Sequence, residues 1–352
     1  MKDSKKEENI AFYRKYRPAN FGEVIGQDHI VKAIGGALKA GKVSHAYLLC
    51  GPRGTGKTTI ARIIAHELGT SVNDIYELDA ASNRGIDDVR SIRDSVQTLP
   101  FDSKYKIYIL DEVHMFTKDA WNALLKTIEE PPRHVIFILA TTELEKVPET
   151  IVSRCQTFNF KKPTDATLTT VVTNVAKKEG YVLEEGGAGL IALLADGAFR
   201  DAYGILQKVI SFSKDKKISL KDIEEVTGSP SVTLVDEFLR ALAHNDIERG
   251  FITISKANEE NIDMQVYLKM IISKLRFALM LRYVPKMRSE IESEISEHDM
   301  VYIEELIREK PEHISSNALS ILLEAYQNSK SAVINSLPLE MALVKILNEK
   351  QS

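Results

Sequence analysis

Gly51-Pro52-Arg53-Gly54-Thr55-Gly56-Lys57-Thr58 constrains this chain more than any other stretch of its sequence. The string fits G-x-x-x-x-G-K-[ST], and it lies between an apolar run at residues 46–50 and a helix-like segment at 59–68. Such a unit brings the loop's backbone N–H groups and the helix N-terminus together around an anion. Lys57 is placed to reach the β and γ phosphates of a nucleotide and Thr58 to give a hydroxyl to Mg2+. Gly51, Pro52, Arg53, Gly54, Thr55, Gly56 and Thr59 complete the cradle. With strand, motif and helix in register, a glycine turn that binds nothing is the weaker reading.

Apolar runs at residues 46–50, 75–78 and 106–110 alternate with helix-like stretches, and a further run follows at 135–139. Uninterrupted runs of this length read as buried parallel strands with crossover helices. Trp121, Leu124, Leu125 and Ile128 fall at i, i+3, i+4 and i+7, a stripe that lays a helix against the sheet before Pro131-Pro132 stop it. The run at 106–110 ends in Asp111-Glu112. A P-loop enzyme places its metal-shell acid at the carboxyl end of such a strand, so Asp111 is expected to hold Mg2+ with Thr58, and Glu112 to polarise the attacking water. A pair of acids after a strand also serves as a helix cap, and by itself the pair is weak. His114 stands close by, but a lone histidine is more often structural, and it stays outside the catalytic set.

Beyond Phe160 strand-like runs disappear, and residues 171–178, 189–194 and 202–210 read as short amphipathic helices of a small domain ending near Gly228-Ser229-Pro230. Helical periodicity continues from residue 231, with Val235, Phe238, Leu239 and Leu242 on one face and Met264, Leu268, Ile271, Ile272, Leu275 and Leu279 on another. The expected organisation is an α/β parallel-sheet nucleotide domain over residues 1–160, a helical domain over 161–228 and an all-helical domain over 229–352. The Glu290, Glu292, Glu294 and Glu297 run reads as a solvated helix face.

Composition narrows the partners. With 46 basic and 50 acidic residues the formal net charge is -4, so no global basic field draws the chain onto nucleic acid, and any DNA contact is local or shared among subunits. An apolar content of 44% with 27% charged excludes disorder as the main state. Cys50 and Cys155 supply neither a disulfide framework nor a four-cysteine metal site, which suits a reducing, cytoplasmic setting. The first nine residues lack an apolar signal region, and no stretch reaches the roughly 18 uninterrupted apolar residues of a membrane span.

Further motifs carry a family resemblance. They are Tyr16-Arg17-Pro18-Ala19-Asn20-Phe21 leading to Val24-Ile25-Gly26-Gln27, Ser44-His45-Ala46-Tyr47, Leu78-Asp79-Ala80-Ala81-Ser82-Asn83, Asp111-Glu112-Val113-His114-Met115, Leu124-Leu125-Lys126-Thr127-Ile128-Glu129-Glu130-Pro131-Pro132, Ala140-Thr141-Thr142 and Ser153-Arg154-Cys155. In collinear order they span about 150 residues, and with them the chain resembles the bacterial clamp-loader gamma/tau family of AAA+ proteins. More distantly it is similar to the small subunits of replication factor C. The resemblance thins in the helical part and resumes at Leu337-Pro338-Leu339-Glu340.

The resemblance implies roles for the matched positions. Thr142 looks like sensor 1, which feels the γ phosphate or the attacking water. Arg154 looks like an arginine finger that reaches the neighbouring subunit's nucleotide, and Arg200 looks like sensor 2, which links the lid to its own subunit's phosphates. Without the family, both arginines read as surface ion pairs. Val24 and Ile25 are expected beside the adenine. The two helical domains correspond to the family's lid and oligomerising collar. The implied activity is ATP- and Mg2+-dependent loading of a sliding clamp onto primer–template DNA for DNA polymerase III, in a hetero-pentamer with delta, delta-prime and further gamma/tau copies.

Arg84, Arg90 and Arg93 are candidates for DNA phosphates, and equally ordinary exposed charges. The Leu99-Pro100-Phe101 turn is a candidate clamp contact or a helix stop tucked into the core. Two features depart from the family. No cysteine lies between residues 68 and 75, where members usually carry a zinc module, so no zinc site is expected; and the sequence stops after the collar, without the longer form's tethering domains. Two other readings remain: a non-hydrolysing scaffold like delta-prime, and an AAA+ remodeller such as a Holliday-junction motor, which would need a winged-helix end.

Overall fold

The computed structural model describes residues 10–83, 85–292, 294–308 and 311–348. The chain packs as two units, the first reaching Thr167 and taking in Gly197–Gly204, the second made of Leu168–Asp196 and everything from Ile205 onward.

In the first unit each apolar run becomes a strand, and those at residues 46–50, 106–110 and 135–139 have two apolar faces, as a sheet covered on both sides requires. β1 (Ala46–Cys50), β2 (Ile75–Asp79), β3 (Lys106–Asp111), β4 (Val135–Thr141) and β5 (Gln156–Asn159) form one parallel sheet in the order β2-β3-β4-β1-β5. Alternate residues feed opposite cores. Ala46, Leu48, Tyr108, Leu110, Phe137 and Leu139 join one hydrophobic cluster, while Tyr47, Leu49, Ile107, Ile109, Ile136 and Ile138 join the other.

Two helices cover the second of these faces: α2 (Asp28–Lys39), which follows the short α1 (Phe12–Lys15), and α3 (Lys57–Glu67), through Ile30, Ile34, Ile60 and Ile64. On the first face lie α4 (Ile86–Val96), α5 (Lys118–Glu129) and α6 (Glu149–Val152). The helix read from Trp121, Leu124 and Ile128 is α5, and those three side chains are buried against the sheet. The Thr117 hydroxyl starts it by accepting from the Ala120 N–H at 3.2 Å. Truncating the fully buried Leu124 to Ala costs roughly 2–5 kcal/mol.

The edge strand β5 has no apolar run to announce it. Its residues are Gln-Thr-Phe-Asn, mostly exposed, and it pairs on one side with β1 alone. The expectation that strands end at Phe160 is also corrected, because β6 (Val182–Leu183) and β7 (Lys217–Ile218) pair in parallel. Strands of two residues are too short to show a period.

The helices that follow the sheet are α7 (Asp165–Lys178), α8 (Gly187–Leu194), α9 (Phe199–Phe212), α10 (Leu220–Thr227), α11 (Val232–Ala243), α12 (Ile247–Glu259), α13 (Met264–Tyr283), α14 (Arg288–Glu292), α15 (Glu297–Arg308), α16 (Ser316–Ser329) and α17 (Leu337–Asn348). Every described strand precedes α10. No described helix is long and apolar enough to cross a membrane.

Helix α13 is the centre of this packing. Tyr267, Leu268, Ile271, Leu275 and Ala278 are fully buried, and its buried set spreads around the helix more widely than the single stripe read from sequence. Lys274 is buried among them and pairs with Asp236 of α11 and, at 2.5 Å, with Asp299 of α15. The Tyr302 hydroxyl donates to the Asp236 carbonyl at 2.7 Å. Burial pushes the Asp236 carboxyl above its ordinary pKa, and the adjacent Lys274 opposes that shift.

Candidate nucleotide site

The loop between β1 and α3 needs its glycines. Gly51, Gly54 and Gly56 have φ of 144°, 74° and 101°, values that L side chains rarely adopt. A Cβ on Gly51 would lie 2.6 Å from the Phe160 carbonyl oxygen, and one on Gly54 would lie 2.6 Å from Ala198 Cβ. At Gly56 a Cβ would meet nothing within 4 Å, so there it is the positive φ that calls for glycine.

Lys57 begins α3 and is buried. Its Nζ donates to the carbonyls of Gly51 at 2.8 Å and Pro52 at 2.9 Å. Burial lowers the pKa of this ammonium, while Glu112 and Asp111 work in the opposite direction. Thr55 Oγ1 donates to the Pro52 carbonyl at 2.8 Å, and Arg53 is exposed on the loop. Thr59 follows in the first turn of α3.

Two acids close the site from β3. The Thr58 hydroxyl donates to Asp111 Oδ2 at 2.6 Å, so the two residues expected to hold Mg2+ lie together. A hydroxyl and a carboxylate oxygen side by side are hard donors, the kind that a Mg2+ ion would take. Glu112 has φ 49° and ψ 43°, a left-handed conformation that a non-glycine residue adopts at a cost of about 1–2 kcal/mol. Its N–H donates to Asp111 Oδ1 at 2.9 Å, which stabilises the turn. Thr142 Oγ1 donates to Glu112 Oε2 at 3.3 Å. The parallel register makes this meeting inevitable: Leu110 pairs with Leu139 and Cys50 with Thr141, so β1, β3 and β4 end together.

His114, set aside on the sequence, belongs to this group. Its ring reaches Thr141 Oγ1 at 3.1 Å, Glu112 Oε2 at 3.5 Å and Glu143 Oε1 at 3.3 Å. Thr141 is 27 residues away along the chain, and no short-range pattern announces such a contact.

The other expected residues divide. The Phe199 N–H donates to the Gly54 carbonyl at 3.0 Å, which sets the start of α9 on the P-loop. Arg200 follows immediately, exposed, with its guanidinium 5.0 Å from the Tyr13 ring centroid. Val24 packs on the sheet core and Ile25 is half exposed, at 48%. Their segment is anchored by the buried Gln27, which donates to the Lys161 carbonyl at 2.7 Å and accepts from the Lys161 N–H at 3.2 Å.

Arg154 is not joined to the P-loop cluster. It pairs with Glu129 and donates to the Thr150 carbonyl at 2.7 Å. Arg90 and Arg93 are exposed and paired with Asp87 and Asp94 of the same helix. Arg84 lies outside the described residues. Leu99 is 78% and Phe101 83% exposed, so this turn is not tucked into the core. The fully buried Asp74 holds it, accepting from the N–H groups of Phe101 at 2.5 Å and Asp102 at 2.9 Å.

A family described as "DNA polymerase III, delta subunit" matches residues 70–164. DNA polymerase III subunit gamma of Buchnera aphidicola subsp. Schizaphis graminum is 32% identical, with 96% of this chain and 97% of the relative covered. The chain belongs to the DNA polymerase III gamma/tau family. Within the gamma/tau family, DNA polymerase III subunit tau of Bacillus subtilis (strain 168) is 37% identical over 96% of this chain and 63% of its own length. The gamma/tau protein of Mycoplasma pneumoniae is also 37% identical, and this chain spans 41% of it. The chain thus spans less than two thirds of the first curated relatives it matches. Among solved structures, the Thermotoga maritima RuvB Holliday junction branch migration motor has a TM-score of 0.52 at 24% identity, covering 66% of this chain and 80% of that one. That likeness is one of fold, the parallel-sheet α/β core.

Proposed function

We propose that this chain is an ATP-hydrolysing motor subunit of a sliding-clamp loader. The observation that carries the reading is the complete set at the carboxyl ends of the strands: Lys57 in the loop, Thr58 against Asp111, and Glu112 against Thr142. A non-hydrolysing scaffold has no need of this set. Lys57 exchanges the Gly51 and Pro52 carbonyls for phosphate oxygens when ATP binds. Thr58 and Asp111 hold Mg2+, which when bound neutralises phosphate charge. Glu112 orients the attacking water and takes up its proton, and Thr142 steadies the Glu112 carboxylate.

Hydrolysis is completed across subunits. Arg154, partly exposed and away from its own P-loop cluster, serves a neighbour's nucleotide, where such an arginine is worth roughly 10³–10⁵ in rate. Arg200, beside Gly54 through Phe199, reports nucleotide to residues 161–228, which act as the lid, while 229–352 act as the collar. The exposed Leu99 and Phe101 face the clamp, and Arg90 and Arg93 contact primer–template DNA. Delta- and delta-prime-type subunits complete the assembly, and the protein works in the cytoplasm. The all-helical elements from α10 onward support a collar over the winged-helix end of a Holliday-junction motor.

The test is reconstitution. The full chain is mixed with delta- and delta-prime-type subunits, and ATP hydrolysis is followed with and without ring clamp and primed DNA. A stable assembly whose hydrolysis rises only when both are present is the expected result. Hydrolysis indifferent to both, or a chain that joins no such assembly, overturns the reading.

A further inference from the structure

His114 lies in the 3-10 turn Val113–Met115 directly after the Glu112 turn, and its side chain is only 7% exposed. A buried imidazole needs a partner at each ring nitrogen. Nδ1 stands 3.1 Å from Thr141 Oγ1 and 3.5 Å from Glu112 Oε2, and Nε2 stands 3.3 Å from Glu143 Oε1. Glu143 is itself fixed, by Lys146 at 2.7 Å. The Lys146 hydrogen bond, with the charges of Lys146 and His114 adding to it against partial burial, holds the Glu143 carboxyl below the usual carboxylate range.

The ring therefore spans from the loop after β4 to the acid after β3. The Glu112 oxygen it approaches is Oε2, which also accepts from Thr142 at 3.3 Å. The Thr142 hydrogen bond and the close imidazole ring both act on this one oxygen and so restrict the rotation of the carboxylate. Among the described residues no hydrogen bond is made to Oε1. An oxygen oriented but left without a protein partner is what a water-activating carboxylate must present.

We propose that His114 is a positioning residue for Glu112: anchored by Thr141 and Glu143, its ring holds Oε2 with Thr142 and so determines that Oε1 faces the nucleotide. The inference rests on Glu112 being the group that acts on water. The 3.5 Å approach is a close contact rather than a hydrogen bond, and it acts by limiting where Oε2 can swing.

Single-turnover ATP hydrolysis and equilibrium binding of a fluorescent ATP analogue on the full chain test it, with His114→Ala, His114→Asn, Glu143→Gln, Glu112→Gln and the double variant Glu112→Gln/His114→Ala. His114→Ala is expected to slow hydrolysis about tenfold to a hundredfold, the cost of misplacing a reacting group by roughly 1 Å. Analogue affinity stays within about twofold, because the group acts in the chemical step. His114→Asn, whose amide keeps a donor, recovers part of the rate. In the Glu112→Gln background, removing the ring changes nothing more. Should His114→Ala fail to fold, Glu143→Gln decides, since it loosens the ring from a partly exposed position; slowed hydrolysis at unchanged analogue affinity supports the role.

Wild-type hydrolysis by His114→Ala or, should that variant fail to fold, by Glu143→Gln, or losses in the double variant that multiply, overturns the positioning role while leaving Glu112 in place. Wild-type hydrolysis by Glu112→Gln removes the reading of Glu112 itself. The two failures are thus read from different variants.

Discussion

The Thr58 hydroxyl and the Asp111 carboxylate meet at 2.6 Å although 53 residues separate them. Thr58 lies in the first turn of α3 and Asp111 closes β3, so the fold itself delivers both to one point. From this the separate contributions of the neighbouring residues follow.

In the proposed function Lys57 acts on the bound phosphates and Glu112 on water, so their losses are expected to have different signatures. Lys57→Ala is expected to abolish binding of a fluorescent ATP analogue. Glu112→Gln is expected to keep binding and to slow hydrolysis by roughly 10²–10⁴, the usual range for a positioned proton acceptor. Equal analogue binding by Lys57→Ala and wild type contradicts the site.

Arg154 pairs with Glu129 within its own chain and makes no contact with the Lys57 cluster. Arg154→Ala should leave analogue binding and the isolated chain's basal hydrolysis intact, while assembled hydrolysis falls by roughly 10³. Mixed assemblies of Arg154→Ala and Lys57→Ala chains in controlled order measure the direction. Identical rates in both orders would place the arginine in cis.

Asp74 is wholly buried, and burial alone would raise its pKa, but the N–H groups of Phe101 and Asp102 and the contacts from Ser103 outweigh that and lower it. A depressed carboxyl stabilises the fold above its unfolded value, near pH 4, and that contribution disappears as pH falls through the lower folded value. Asp74→Asn is therefore expected to be less stable near neutrality by roughly 1–3 kcal/mol and to lose less on acidification than wild type. Urea midpoints near pH 7 and near pH 3 for both chains measure this. A difference between the chains that does not shrink at low pH refutes it.

Lys274 neutralises two acids inside the helical unit, the buried Asp236 and the less buried Asp299. Lys274→Met leaves a buried carboxylate alone and should cost about 3–5 kcal/mol. Adding Asp236→Leu should restore most of that loss, since Asp299, 23% exposed, reaches water. Thermal melts of the single and double variants separate this from a packing defect, in which the second change brings no recovery.

The sequence by itself determined what is local or periodic. The P-loop is eight consecutive residues whose glycine spacing reports backbone torsion, and the runs at β1, β3 and β4 declare a two-sided sheet because they are apolar on both faces. Asp111 and Glu112 were legible because they follow such a run directly.

Tertiary structure alone decided what depends on register across the sheet. Edge strand β5 needs apolar residues on neither side throughout, so its pattern is mute, and β6 and β7 are shorter than any period. Leu99 and Phe101 read equally well as core or surface until the Asp74 hydrogen bonds held their turn outward. His114 is the sharpest case. Its ring meets Thr141 and Glu143 only because β3 lies beside β4 with Leu110 opposite Leu139, and a pairing across strands leaves no trace in the order of residues along either one.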